Sequence, residues 1–213
     1  MRRLRGLYAI TDSELAADGL VDQVKQAIAG GARIIQYRDK SQEQARRLAE
    51  AGTLLGLCTE RDVPLIINDD VALAATIGAH GVHLGKDDPA LTSARAQLGP
   101  EAIIGVSCYN RFELAVEARA AGADYVAFGS FFASDTKPLA VRAAPELLQR
   151  TRRELGLPTV AIGGISPENG RALIAAGADM LAVIRGVFAQ PDISAAAQAY
   201  ATLFAEETED QPS

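Results

Sequence analysis

Tryptophan is absent from this 213-residue chain, and cysteine, methionine and histidine occur only twice each. Cys58 and Cys108 stand far apart and outside any Cys-x-x-Cys spacing, which excludes a disulfide framework and a thiolate metal site. Cys58 falls in a helical segment and reads as a small core residue, whereas Cys108 follows Ser107 at a strand end with no obvious base partner. No stretch approaches the roughly 18 uninterrupted apolar residues of a membrane span. Basic residues form no run beyond the short start Arg2, Arg3 and Arg5, which is not followed by the apolar segment and cleavage site of a secretory signal. The expected location is therefore the cytoplasm. With a net charge of -6 and no compensating basic stripe, neither a nucleic acid nor a membrane is an expected partner.

What the chain does contain is small aliphatic residues in a regular alternation. Apolar residues make up 48% and aromatics only 5%, a composition suited to tightly packed α/β architecture. Eight short apolar segments read as strands: 7–11, 33–38, 65–69, 81–85, 103–107, 125–129, 159–163 and 180–184. Between them, 20–29, 42–60, 71–77, 90–98, 111–120, 143–155, 167–176 and 193–206 fit amphipathic helices. A Gly-Ala pair precedes every second strand, at Gly31, Gly78, Gly122 and Gly177, where glycine closes a helix in the left-handed conformation and alanine lets the next strand start close by. Four double β/α units favour one closed (β/α)8 TIM barrel over an open doubly wound sheet. The barrel is expected over 1–206, with an acidic, disordered and solvated tail at 207–213. Asp124 and Asp179, at strand beginnings within the repeat, read as structural.

On this fold the active site occupies the carboxyl ends of the strands, and the unusual polar residues fall there. Side chains alternate along a strand, so Gln36, Arg38 and Lys40 share one face: an amide beneath two cations, suited to an uncharged ring with a diphosphate tail. Asn68 and Asp69 end strand three, and Asp87 and Asp88 follow strand four. Paired carboxylates from different strands make a reasonable magnesium site. Asp69 is the first choice there, because Asp70 is placed as a helix N-cap. Of Asp87 and Asp88, one is expected to be a ligand and the other a cap, and spacing alone does not choose. Ser107 ends strand five, and with no nucleophile elbow it reads as a hydrogen-bonding group. Residues 129–138 form a loop placed to close over the site. Gly163-Gly164 after strand seven and Arg185-Gly186 after strand eight match a phosphate cradle. His80 is expected at the surface, and His83 as a hydrogen-bonded core histidine rather than a base.

The residues Tyr8 to Asp12, Gln36 to Lys40, Asn68 to Asp70, His83-Leu84-Gly85 with Asp88, Gly105-Val106-Ser107, Thr136-Lys137 and Gly163 to Ile165 together resemble the thiamine-phosphate synthase (thiamine-phosphate pyrophosphorylase) family. The resemblance implies a (β/α)8 transferase of thiamine biosynthesis. Its small-molecule substrates would be 4-amino-2-methyl-5-hydroxymethylpyrimidine diphosphate and 4-methyl-5-(2-phosphoethyl)thiazole, and Mg2+ its cofactor. It further implies that Gln36 and Asn68 contact the pyrimidine, that Arg38, Lys40 and Lys137 hold the diphosphate, and that Asp69 and Asp88 bind the metal. Ser107 would lie near pyrimidine and diphosphate, and Ser134 and Thr136 would touch the substrates. Gly164, Ile184 and Arg185 would cradle the thiazole phosphate. Lys86, Ala133, Ser134 and Arg185 depart from the family's usual Gln, Pro, Thr and Ser. A thiazole tautomerase or a thiamine-phosphate sensor on the same scaffold are the rival readings, and metal-dependent diphosphate release separates them. Self-association stays open.

Overall fold

In the computed structural model, which describes residues 4–16, 19–86, 88, 90–133 and 142–205, eight parallel strands close into a barrel in the order in which they occur along the chain. They are β1 (Gly6–Ile10), β2 (Ala32–Tyr37), β3 (Leu65–Asn68), β4 (Gly81–Leu84), β5 (Ile103–Tyr109), β6 (Tyr125–Phe128), β7 (Thr159–Ile162) and β8 (Met180–Val183). The outer ring contains α1 (Ser13–Ala16), α2 (Leu20–Ala29), α3 (Gln44–Glu60), α4 (Val71–Ile77), α5 (Leu91–Leu98), α6 (Phe112–Ala120), α7 (Glu146–Leu155), α8 (Pro167–Ala175), α9 (Arg185–Phe188) and α10 (Ile193–Ala205). The two one-turn helices α1 and α9 carry no amphipathic period long enough to announce them in the sequence.

Strand alternation sorts the core into two layers. Leu7, Ile35, Leu65, Ile67, Val82, Ile104, Val126, Ala161 and Leu181 face the helices. Tyr8, Ile34, Ile66, Tyr125, Val160 and Met180 fill the lumen, which is packed rather than open. The four repeat glycines all have positive φ, from 70° at Gly78 to 103° at Gly31, as the Gly-Ala pattern requires. Asp124 accepts from Ile104 N–H at 2.8 Å and pairs with Arg95, while Asp179 accepts from Thr159 N–H at 2.9 Å. Both tie one strand's start to its neighbour and are structural.

Three local expectations need correction. β5 runs past Ser107 to Tyr109, because a register shift between these residues accommodates Cys108 as an extra residue and prolongs pairing with β6. His80 is half-buried, its Nδ1 accepting from Leu65 N–H at 3.1 Å. Helix α5 begins at Leu91 behind Ala90, with no side-chain cap, and Asp88 instead accepts from Gly85 N–H in its own loop. Asp87 and the acidic tail lie outside the described residues.

Candidate active site

The strand ends surround a cavity of about 750 Å³ whose walls include Gln36, Arg38 and Lys40 from the β2 end, Asn68 and Asp69 from β3, Lys86 and Asp88 after β4, and Ser107 from β5. Across from them, Gly163 and Gly164 after β7 and Ile184, Arg185 and Gly186 after β8 complete the wall. Ten residues singled out from sequence as site residues therefore meet in one space: Gln36, Arg38, Lys40, Asn68, Asp69, Asp88, Ser107, Gly164, Ile184 and Arg185. Ser134, Thr136 and Lys137 lie outside the described residues, as does the second half of the loop expected over the site.

The β2 end is held from both sides. Arg38 N–H donates to Thr11 Oγ1 at 3.0 Å, and its guanidinium lies 3.7 Å from Asp12. Asp39 turns away from the cavity, its carboxylate fully buried and 2.8 Å from Arg46, while it also accepts from Ser41 N–H. That pair, buried at its Asp39 end and exposed at Arg46, helps fix the loop so that the residues on either side of Asp39 face the cavity.

At the β3 end, adjacent aspartates divide two tasks. Asp70 caps α4, accepting from Leu73 N–H at 2.8 Å, and pairs with Arg47 at 2.8 Å. Asp69 has a left-handed backbone, φ 63°, a conformation that Asp tolerates better than most residues. Its carboxyl is pushed up to about 6, first by burial and then by the hydrogen-bonded Asp88 carboxylate, with Lys40 pulling the other way. Two carboxylates forced together beside a lysine suit a divalent cation with oxygen ligands. Among the described residues no three His, Cys, Asp or Glu side chains group into a cage, so any such ion would draw its remaining ligands from water and substrate.

Opposite the charged wall, Gly163 and Gly164 adopt φ of 101° and 63°. A Cβ on Gly163 would collide with Ser130, and one on Gly164 with the Ala133 carbonyl. Asn169 Nδ2 donates to the Gly164 carbonyl at 3.0 Å and caps α8 by accepting from Ser166 N–H. The bare backbone edge is thus required by packing and left open to the cavity.

The floor is polar in a way not foreseen from the chain. Gln36 Nε2 donates to Tyr8 OH at 2.8 Å, Tyr8 OH meets Tyr125 OH at 2.8 Å, Tyr125 OH meets His83 Nδ1 at 3.0 Å, and His83 Nε2 meets Ser107 Oγ at 2.8 Å. Burial holds His83 down at about 4 and raises both phenols, so all three are neutral near pH 7. His83 is thus a hydrogen-bonded core residue with one nitrogen turned to the site. The signal for Tyr125 was Gly105: a glycine inside a strand marks a close approach, and a Cβ there would fall 1.9 Å from the Tyr125 ring. Tyr109 also lines the cavity, its hydroxyl accepting from Lys86 N–H at 3.2 Å.

Comparison with known proteins agrees with this geometry. A family model described as thiamine monophosphate synthase matches residues 7–187. The chain is 56% identical over 198 residues to the thiamine-phosphate synthase of Nitrosococcus oceani, covering 92% of this chain and 91% of that one. It is 53% identical over 203 residues to that of Thioalkalivibrio sulfidiphilus, covering 95% and 96%. The solved thiamine phosphate pyrophosphorylase of Pyrococcus furiosus superposes with a TM-score of 0.87 at 34% identity, covering 96% of this chain and 97% of its own.

Proposed function

The chain belongs to the thiamine monophosphate synthase family, and from that premise we propose that it joins 4-amino-2-methyl-5-hydroxymethylpyrimidine diphosphate to 4-methyl-5-(2-phosphoethyl)thiazole, giving thiamine phosphate and diphosphate. The observation that carries this reading is the convergence of Arg38 and Lys40 from β2 with the Asp69–Asp88 pair from the ends of β3 and β4 in one cavity. An anionic leaving group would meet cations and a metal site together.

The bond that breaks joins the pyrimidine methylene carbon to a diphosphate oxygen, and its electron pair leaves with the diphosphate. The electron-rich aminopyrimidine stabilises the resulting cation, and the thiazole nitrogen supplies the pair that forms the new C–N bond. Asp69 and Asp88 would hold magnesium, which when bound supplies positive charge against the diphosphate oxygens. Arg38 and Lys40 would stabilise the charge developing on the same oxygens. Lys137, which follows β6 in sequence, would join them. Gln36 and Asn68 would receive the pyrimidine, with Ser107 between ring and diphosphate and Ser134 and Thr136 against the substrates. The backbone at Gly164 and Ile184, with the Arg185 side chain, would take the thiazole phosphate.

Diphosphate release, measured with and without the thiazole phosphate and with and without magnesium, tests the reading. Release that needs all components, with thiamine phosphate formed in step and turnover lost by at least about 100-fold in Arg38→Ala, is expected. Phosphate binding without any release would overturn it in favour of a tautomerase or a sensor.

A further inference from the structure

Gln36 and Ser107 both line the cavity, and they are joined by the phenols of Tyr8 and Tyr125, buried beneath its floor, and by the imidazole of His83, which also lines it. Each link in that chain needs one hydrogen, and the donors and acceptors available allow only a consistent direction. With Gln36 Nε2 donating to Tyr8, the Tyr8 hydrogen goes to Tyr125 and the Tyr125 hydrogen to His83 Nδ1. The imidazole then carries its hydrogen on Nε2 and donates to Ser107 Oγ. Had Tyr125 donated to Tyr8 instead, the Tyr8 hydrogen would be buried without an acceptor, at a cost of about 1–3 kcal/mol. Complete reversal is also consistent, but it requires the Gln36 amide to turn over so that its oxygen accepts from Tyr8.

The two directions present opposite faces to a ligand. In the direction that follows from Gln36 Nε2 donating to Tyr8, Ser107 keeps its own hydrogen for the cavity and Gln36 keeps its amide oxygen. In reverse, Ser107 offers only lone pairs and Gln36 only N–H groups. An anion near Ser107 selects the first direction, because a hydroxyl donating to an anionic oxygen makes a strong, charge-assisted hydrogen bond.

We propose that Tyr8, Tyr125 and His83 are positioning residues that couple the two ends, so that an anionic group received by the Ser107 hydroxyl makes the Gln36 amide oxygen an acceptor for the exocyclic amino group of the pyrimidine. This rests on the substrate reading above and adds how the site tells an amino from an oxo pyrimidine. An oxo group at the same ring position would set acceptor against acceptor, the kind of mismatch by which a buried polar site rejects an analogue strongly.

Two measurements test it. First, nitrogen NMR of the full chain labelled with 15N-histidine, with His83 identified by its loss in His83→Asn, is recorded with inorganic diphosphate and magnesium bound. Hydrogen on Nε2 and a bare Nδ1 is expected; hydrogen on Nδ1 overturns the proposal, whether or not the protein turns over. Second, kcat/KM is compared for the aminopyrimidine diphosphate and its 4-oxo analogue. Tyr125→Phe and Tyr8→Phe should each lower the preference for the amino compound by about tenfold or more, because the uncoupled Gln36 amide is then free to turn. Equal losses on both compounds, leaving the preference unchanged, would make these tyrosines merely structural and overturn the coupling. Failure of the wild-type chain to turn over the aminopyrimidine diphosphate would sink the substrate reading, while the tautomer result stands on its own.

Discussion

The Asp69 and Asp88 carboxyls neighbour each other at the ends of two adjacent strands, and burial together with the Asp88 carboxylate raises the Asp69 carboxyl to about 6. A divalent cation held between the two carboxylates would offset their like charge.

Replacing Asp69 with Asn removes one of the opposed charges and keeps a residue that tolerates the positive φ. Asp69→Asn is therefore expected to raise the thermal midpoint slightly or leave it unchanged while turnover falls by at least about 100-fold. Thermal unfolding and turnover on the same preparation check both halves, and a large drop in stability would contradict this account of the pair.

The next residue should behave in the opposite way. Asp70 caps α4 and pairs with Arg47 without lining the main cavity. Asp70→Ala is expected to cost about 1–2 kcal/mol in denaturant unfolding, with turnover per folded molecule largely kept.

Acid sensitivity follows from His83. Its pKa is about 4 in the fold and about 6.5 when unfolded. Between these values the unfolded chain binds more protons, so this contribution is complete above pH 6.5 and is lost as pH falls toward 4, about 3 kcal/mol in all. Asp69 works in the other direction: its raised carboxyl favours the fold as pH falls through about 6. Stability measured from pH 7 to pH 4 should therefore decline more steeply in Asp69→Asn than in the wild-type chain. Parallel curves would show that the Asp69 shift is absent, since His83 is common to both chains.

Gly105 tests the floor by sterics alone. A methyl group there meets the Tyr125 ring at 1.9 Å and cannot be absorbed by a flexible side-chain end. Gly105→Ala is expected to destabilise the protein by about 1–3 kcal/mol or more and to lower turnover with it, since Tyr125 must move off His83. Denaturant midpoints and turnover give the comparison.

Much of this molecule could be read from local pattern. The strand segments were visible because each is short, apolar and bounded by turn residues. Placing Gln36, Arg38 and Lys40 on one face needed only the period of two, and all three line the cavity. Asp70 was recognisable as a cap because capping depends on residues three positions away. At the end of β5 the local pattern erred, because the register shift that carries the strand on to Tyr109 depends on pairing with β6, and at Asp87 and Asp88 it left open which carboxylate caps and which faces the site.

The sequence by itself determined the closed barrel and the rim on which the chemistry gathers, since both follow from periodicity and from the direction of parallel strands. Only the tertiary structure decided the floor of the site. Tyr8 and Tyr125 are 117 residues apart and meet through their hydroxyl oxygens and an edge-to-face ring contact. No periodic signal encodes such a contact, because it exists only once the barrel has closed and brought β1 and β6 to face each other across the lumen.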